Sequence, residues 1–130
     1  MARPVTRPPL RVHWHKSESG KWLSLKNLDL THHLVKQQGV YIVFDPSDTL
    51  YGILYVGQGK VDERLDERKK DERILELAEL DELYVTWAVI SGGKGRREGV
   101  ERFLADTLQP VVGQHPNVPP IPVNVPSLFE

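Results

Sequence analysis

The stretch GVYIVFDPSDTLYGILYVG, residues 39–57, decides the fold. Two apolar, β-branched runs, VYIVF (40–44) and YGILYVG (51–57), flank a turn rich in Asp, Pro and Ser. That is the pattern of a β-hairpin whose loop is longer than the tight two-residue kind. Tyr41 stands in the first run and Tyr55 in the second. Side chains alternate faces along a strand, so the pairing register decides whether two residues share a face. A hairpin centred near Asp48 pairs the two tyrosines directly. Their phenols then stand beside Gly57-Gln58-Gly59, where the backbone lets a ligand approach closely.

The chain around the hairpin has 130 residues, one domain's worth, with enough apolar residues for a modest core. It has no cysteine, so neither a disulfide framework nor a thiolate zinc site is available. No apolar run approaches the ~20 residues of a membrane span, and no membrane partner is expected. The basic N-terminus lacks the apolar core of a signal peptide, so a cytoplasmic location is the expectation. The net charge of −1 hides an asymmetry: residues 1–30 carry six Lys or Arg against two acids, and residues 61–90 carry ten acids against five bases. The basic arm is open to two readings, a solvated tail or a contact for phosphates. His32 and His33 are adjacent and diverge on a helix, and His13 and His15 have no carboxylate at matching spacing, so no histidine metal site is expected.

Before the hairpin, Trp14, Trp22, Leu23, Leu25, Leu28 and Leu30 are expected to cover one edge, with a short helix over Leu28–Gln38. After it, the charged run 60–73 reads as a helix supported by i,i+4 pairs. Val61, Leu65 and Arg68 follow its 3.6-residue period, and Arg64 stacks with Arg68 on an adjoining stripe. A further helical segment over 74–82 turns Ile74, Leu77 and Ala78 inward. Residues 83–90, LYVTWAVI, form a third strand that is apolar on both faces. The loop 91–95 is no phosphate loop, although Lys94, Arg96 and Arg97 concentrate positive charge there. A helix over Arg96–Gln109 follows, with Val100, Phe103, Leu104, Thr107 and Leu108 on its apolar face and Pro110 as its stop. Glu101 sits at the border of that face. It is either a surface residue pairing with Arg97 or Arg102, or a partly buried carboxylate in need of a partner. The tail from Pro110 holds six of the ten prolines and runs extended, as a strap over the domain or a ligand for a partner.

Gly39-Val40-Tyr41 followed by Tyr55-Val56-Gly57 resembles the paired motif of the GIY-YIG nuclease superfamily. Arg64 falls where that family carries an arginine on its first helix. Glu101, Pro110 and Asn117 match the order of a metal-binding glutamate, a proline and an asparagine after the third strand. The resemblance implies an α/β (α+β) fold, a small three-stranded antiparallel sheet flanked by helices, over residues 38–117. Residues 1–37 would be an arm and edge segment, and 118–130 a proline-rich tail.

The implied activity is metal-dependent hydrolysis of DNA phosphodiester bonds. Glu101 would hold Mg²⁺ (or Mn²⁺), Arg64 would grip the phosphate, Tyr55 would be the base or its relay, and Tyr41 would orient water. Gly57, Gln58, Arg68 and Asn117 would contact substrate. A free phenol has a pKa of ~10, so Tyr55 needs the metal and Arg64 to act as a base, or else acts by position. Arg68 stands where many members carry Tyr or His, and Gln58 where Lys is frequent. Two alternatives therefore stand beside the nuclease: a degenerate member that binds nucleic acid or protein without cutting, and a structural domain whose arm or tail docks a protein partner.

Overall fold

The computed structural model describes residues 9–29, 37–48 and 50–129. The described residues form a four-stranded antiparallel sheet with three α-helices, an α+β arrangement. In chain order the elements are β1 (Leu23–Ser24), β2 (Gln38–Phe44), β3 (Ile53–Lys60), α1 (Val61–Lys69), α2 (Glu72–Leu75), β4 (Tyr84–Val89) and α3 (Lys94–Leu108). A three-stranded sheet was one strand short. β1 pairs Leu23 with Val85 and Ser24 with Tyr84, on the edge of β4 away from the hairpin. Two residues are too few to show alternation, so nothing in the mixed stretch 14–29 marks them as a strand.

The strand order is β1-β4-β2-β3, which puts β2 inside and leaves β3 as the outer edge. β2 takes the inner place because VYIVF is apolar on both faces, and all of Gly39–Phe44 is buried. Tyr41 lies opposite Gly57, and Val43 lies opposite Tyr55. The tyrosines thus share a face but are offset by two residues, which corrects the direct pairing. The hairpin turns one residue later than Asp48, and its register shifts between Val43 and Phe44.

Each face of the sheet carries its own core. Tyr41, Val43, Val85 and Trp87 pack on Val61 and Leu65 of α1, Ile74 of α2, and Leu25 and Leu83. On the other face Val40, Ile42, Phe44, Val56 and Ala88 meet Val100 and Leu104 of α3, with Trp14, Val123 and Leu128. Each fully buried aliphatic side chain of this kind stabilises by roughly 1.5–3 kcal/mol.

β3 runs into α1 without a loop, Lys60 ending one and Val61 beginning the other. Gly59 makes the corner at φ 133, a conformation that side chains other than glycine's rarely allow. The Val61 N–H donates to the Gln37 carbonyl at 3.0 Å, so a first-turn donor is satisfied by the backbone. Asp62 and Glu63 open the helix and Arg68 and Lys69 close it, which matches its dipole.

The helical run stops at Lys70 and restarts behind Asp71, whose side chain accepts from the Arg73 N–H. Ile74 is buried and Ala78 half-buried, as expected, but Leu77 is 55% exposed. α2 ends at Leu75, so the 3.6-residue period no longer governs Leu77. On α3, Thr107 is exposed, while Val100, Phe103, Leu104 and Leu108 pack inward.

Residues 118–129 strap the α3 face. The Ile121 N–H donates to the Gly99 carbonyl of α3 at 2.9 Å. Asn124 pairs through its side-chain amide with both backbone groups of Val12, and its carbonyl accepts from Trp14 Nε1. The expected helix over Leu28–Gln38 lies largely outside the described residues, as do Leu30, His32, His33 and positions 1–8 of the basic arm. Among the described residues, no helix is long and apolar enough to cross a membrane.

Candidate active site

At the open end of the hairpin, a pocket of about 360 Å³ sits over the outer edge of the sheet. Tyr41, Tyr55, Arg64 and Glu101 all line it, together with Gly57, Gln58 and Arg68. Asn117 does not line it; that residue is exposed on the tail. α3 packs on the sheet face opposite the tyrosines, yet Glu101 reaches the same pocket. Two features allow this. β3 is the edge strand of the sheet, and Gly57 leaves no side chain in the way. The Tyr41 phenol lies across Gly57, and a Cβ placed there would collide with the Tyr41 ring and hydroxyl.

Tyr41 and Tyr55 stack with centroids 6.0 Å apart and ring planes 10° apart. Burial pushes the Tyr41 phenol well above its ordinary value; Arg68 and Arg64 pull it down, and Tyr55 and Glu101 push it up. The Tyr41 phenol is therefore held in its neutral, protonated form. The Arg68 guanidinium lies 4.3 Å from the centre of the Tyr55 ring. Its amino groups reach Glu67 at 3.1 Å and Asp71 at 3.6 Å, while its Nε is buried with no hydrogen-bond partner. The face of the tyrosine ring compensates that charge in part.

The charged lining is balanced: Arg64, Arg68 and Lys94 against Glu67, Glu98 and Glu101. Arg64 Nη1 sits 3.3 Å from Glu67 at 46% exposure, and Lys94 lies 3.8 Å from Glu98 at 73% exposure. Exposed pairs of this kind hold by less than about 1 kcal/mol, so an incoming anion can take either cation. Gln58 is tied down from below, its Oε1 accepting from Arg97 Nε at 3.0 Å.

Glu101 is buried, and its Oε2 lies 2.8 Å from His115 Nδ1. Burial pushes its carboxyl up; the His115 hydrogen bond and charge pull it down, and Glu98 raises it further. Sequence reasoning passed over His115. It is a lone histidine in a proline-rich stretch, and no spacing rule links it to a glutamate fourteen residues earlier.

Among the described residues, no group of three or more His, Cys, Asp or Glu could hold a metal ion. A hard ion such as Mg²⁺ needs fewer, because it keeps several waters and takes one or two carboxylates plus substrate oxygens. Glu101 fits that demand, with Glu98 one turn earlier on the same pocket wall. Compared with family models, curated proteins and solved structures, the chain gives no match.

Proposed function

We propose that the chain is a metal-dependent endonuclease that hydrolyses DNA phosphodiester bonds by GIY-YIG-like chemistry. The observation that carries this reading is convergence: Tyr41 of β2, Tyr55 of β3, Arg64 of α1 and Glu101 of α3 line one pocket. Phosphodiester hydrolysis needs a cation on the phosphate, a path for the proton of the attacking water, and neutralisation of developing charge. Arg64 exchanges its loose pair with Glu67 for a bidentate grip on the phosphate. Arg68, already fixed on Tyr55, adds a second positive charge. Tyr41 donates a hydrogen bond from its neutral hydroxyl, and Tyr55 positions the water or relays its proton. Glu101 would hold Mg²⁺ (or Mn²⁺), which when bound would supply charge neutralisation and a more acidic water.

One observation favours a second reading, a binding module that does not cut. Arg68 occupies the place of the Tyr or His found in many relatives of the motif, and a guanidinium does not give up its proton. Incubation of plasmid, duplex and branched DNA with Mg²⁺ or Mn²⁺ separates the two. The nuclease reading expects metal-dependent cleavage that falls by about 100-fold or more in both Arg64→Ala and Glu101→Gln. Cleavage unchanged in both variants discards this site. Binding without turnover on every substrate supports the module instead.

A further inference from the structure

We infer that His115 is the positioning residue of this site: it holds the Glu101 carboxylate in the one rotamer that presents an oxygen to the pocket. The inference rests on the proposed metal role of Glu101 and goes beyond it by assigning a residue that the motif does not contain. The segment after α3 is not free to wander. The Val111 and Val112 N–H groups donate to the Ile53 and Leu54 carbonyls, each at 3.0 Å, so the chain continues along the outer edge of β3. Gly113 then passes under the Tyr55 ring, whose carbons come within 2.9 Å of where a Cβ would stand.

The next residues alternate. Gln114 and Pro116 line the pocket and His115 between them does not. His115 thus stands behind Glu101 rather than in the space a substrate would fill. Both partners are nearly closed off, with side chains 12% and 9% exposed.

A glutamate has three rotatable bonds, and a helix surface tolerates several settings of them. The 2.8 Å hydrogen bond between His115 Nδ1 and Oε2 selects one setting, in a glutamate that lines the pocket. His115 Nε2 is buried with no partner, so nothing else in the described residues competes for the ring. A donor behind a metal-binding carboxylate fixes its orientation, and losing such outer contacts typically weakens metal affinity about 10–100-fold.

The test is Mn²⁺ binding followed by paramagnetic resonance, on the full chain without DNA, for wild type, Glu101→Gln, His115→Phe and His115→Asn. Thermal unfolding of each metal-free protein checks its fold. His115→Phe keeps the bulk and lacks the donor; His115→Asn keeps an N–H donor in a smaller side chain. The expected result is Mn²⁺ binding by wild type, loss in Glu101→Gln, weakening of about 10–100-fold in His115→Phe, and recovery of most of it in His115→Asn. Should His115→Phe bind as wild type while Glu101→Gln does not, His115 only satisfies a buried carboxylate and the inference fails alone. If wild type and Glu101→Gln bind equally weakly, the metal role of Glu101 fails and takes this inference with it.

Discussion

Gly57 and Tyr41 face each other across β2 and β3, and the space one leaves is the space the other fills. A methyl group at Gly57 would meet the phenol, and a rigid edge of the sheet gives neither partner room to yield. Gly57→Ala is expected to cost about 1–3 kcal/mol in chemical denaturation and to displace Tyr41 from the pocket. A variant as stable as wild type would show that Tyr41 does not lie against Gly57. The two tyrosines, Arg64 and Glu101 were legible as candidates because residue type and order along the chain carried them. His115 was not legible, because its role depends on a strap laid along β3, a tertiary fact with no local pattern.

At the scale of elements, β3 and α1 act as one piece, and the joint at Gly59 fixes where Arg64 projects. Asp71 secures the far end of that piece. It caps α2, binds Arg73 at 2.7 Å and faces Arg68 at 3.6 Å, with its own side chain only 7% exposed. The Arg73 hydrogen bond holds its carboxyl below the usual range against the opposing effect of burial. A depressed native pKa means that the stabilisation is present above the unfolded value of ~3.9 and is lost as pH falls through the native one.

Asp71→Ala is expected to remove about 1 kcal/mol at neutral pH, the usual cost of a lost cap, and to narrow its gap to wild type in acid. Denaturation curves at pH 7 and pH 3 check both parts; an equal gap at the two pH values would contradict the assignment. The face of α1 was readable because Val61, Leu65 and Arg68 keep a helical period for two turns. The break after Lys70 was not, since good helix formers continue on both sides and only the Asp71 cap marks the restart.

For the whole molecule, the order of elements around the hairpin could be read from the sequence, because each long element carries its own period. β1 could not, being two residues long, and neither could the register of β2 with β3, which a local irregularity sets. The proline-rich tail showed that it would be extended without showing where it would lie. Its place is fixed by Val123 and Leu128 entering the core and by Asn124 bonding to Val12.

Of the ten acids in residues 61–90 only Glu67 lines the pocket, whose own charges balance, so the pocket presents no broad electrostatic surface of one sign. In the proposed nuclease, selection of the DNA would fall to the few groups that meet at the edge of β3. The direct measure of that claim is a double-mutant cycle on single-turnover DNA cleavage in Mg²⁺, using Arg64→Ala, Glu101→Gln and the pair together. Two groups serving one phosphate in one pocket are strongly non-additive, so the double variant is expected to be little slower than the worse single one. Losses that simply multiply would contradict a shared site.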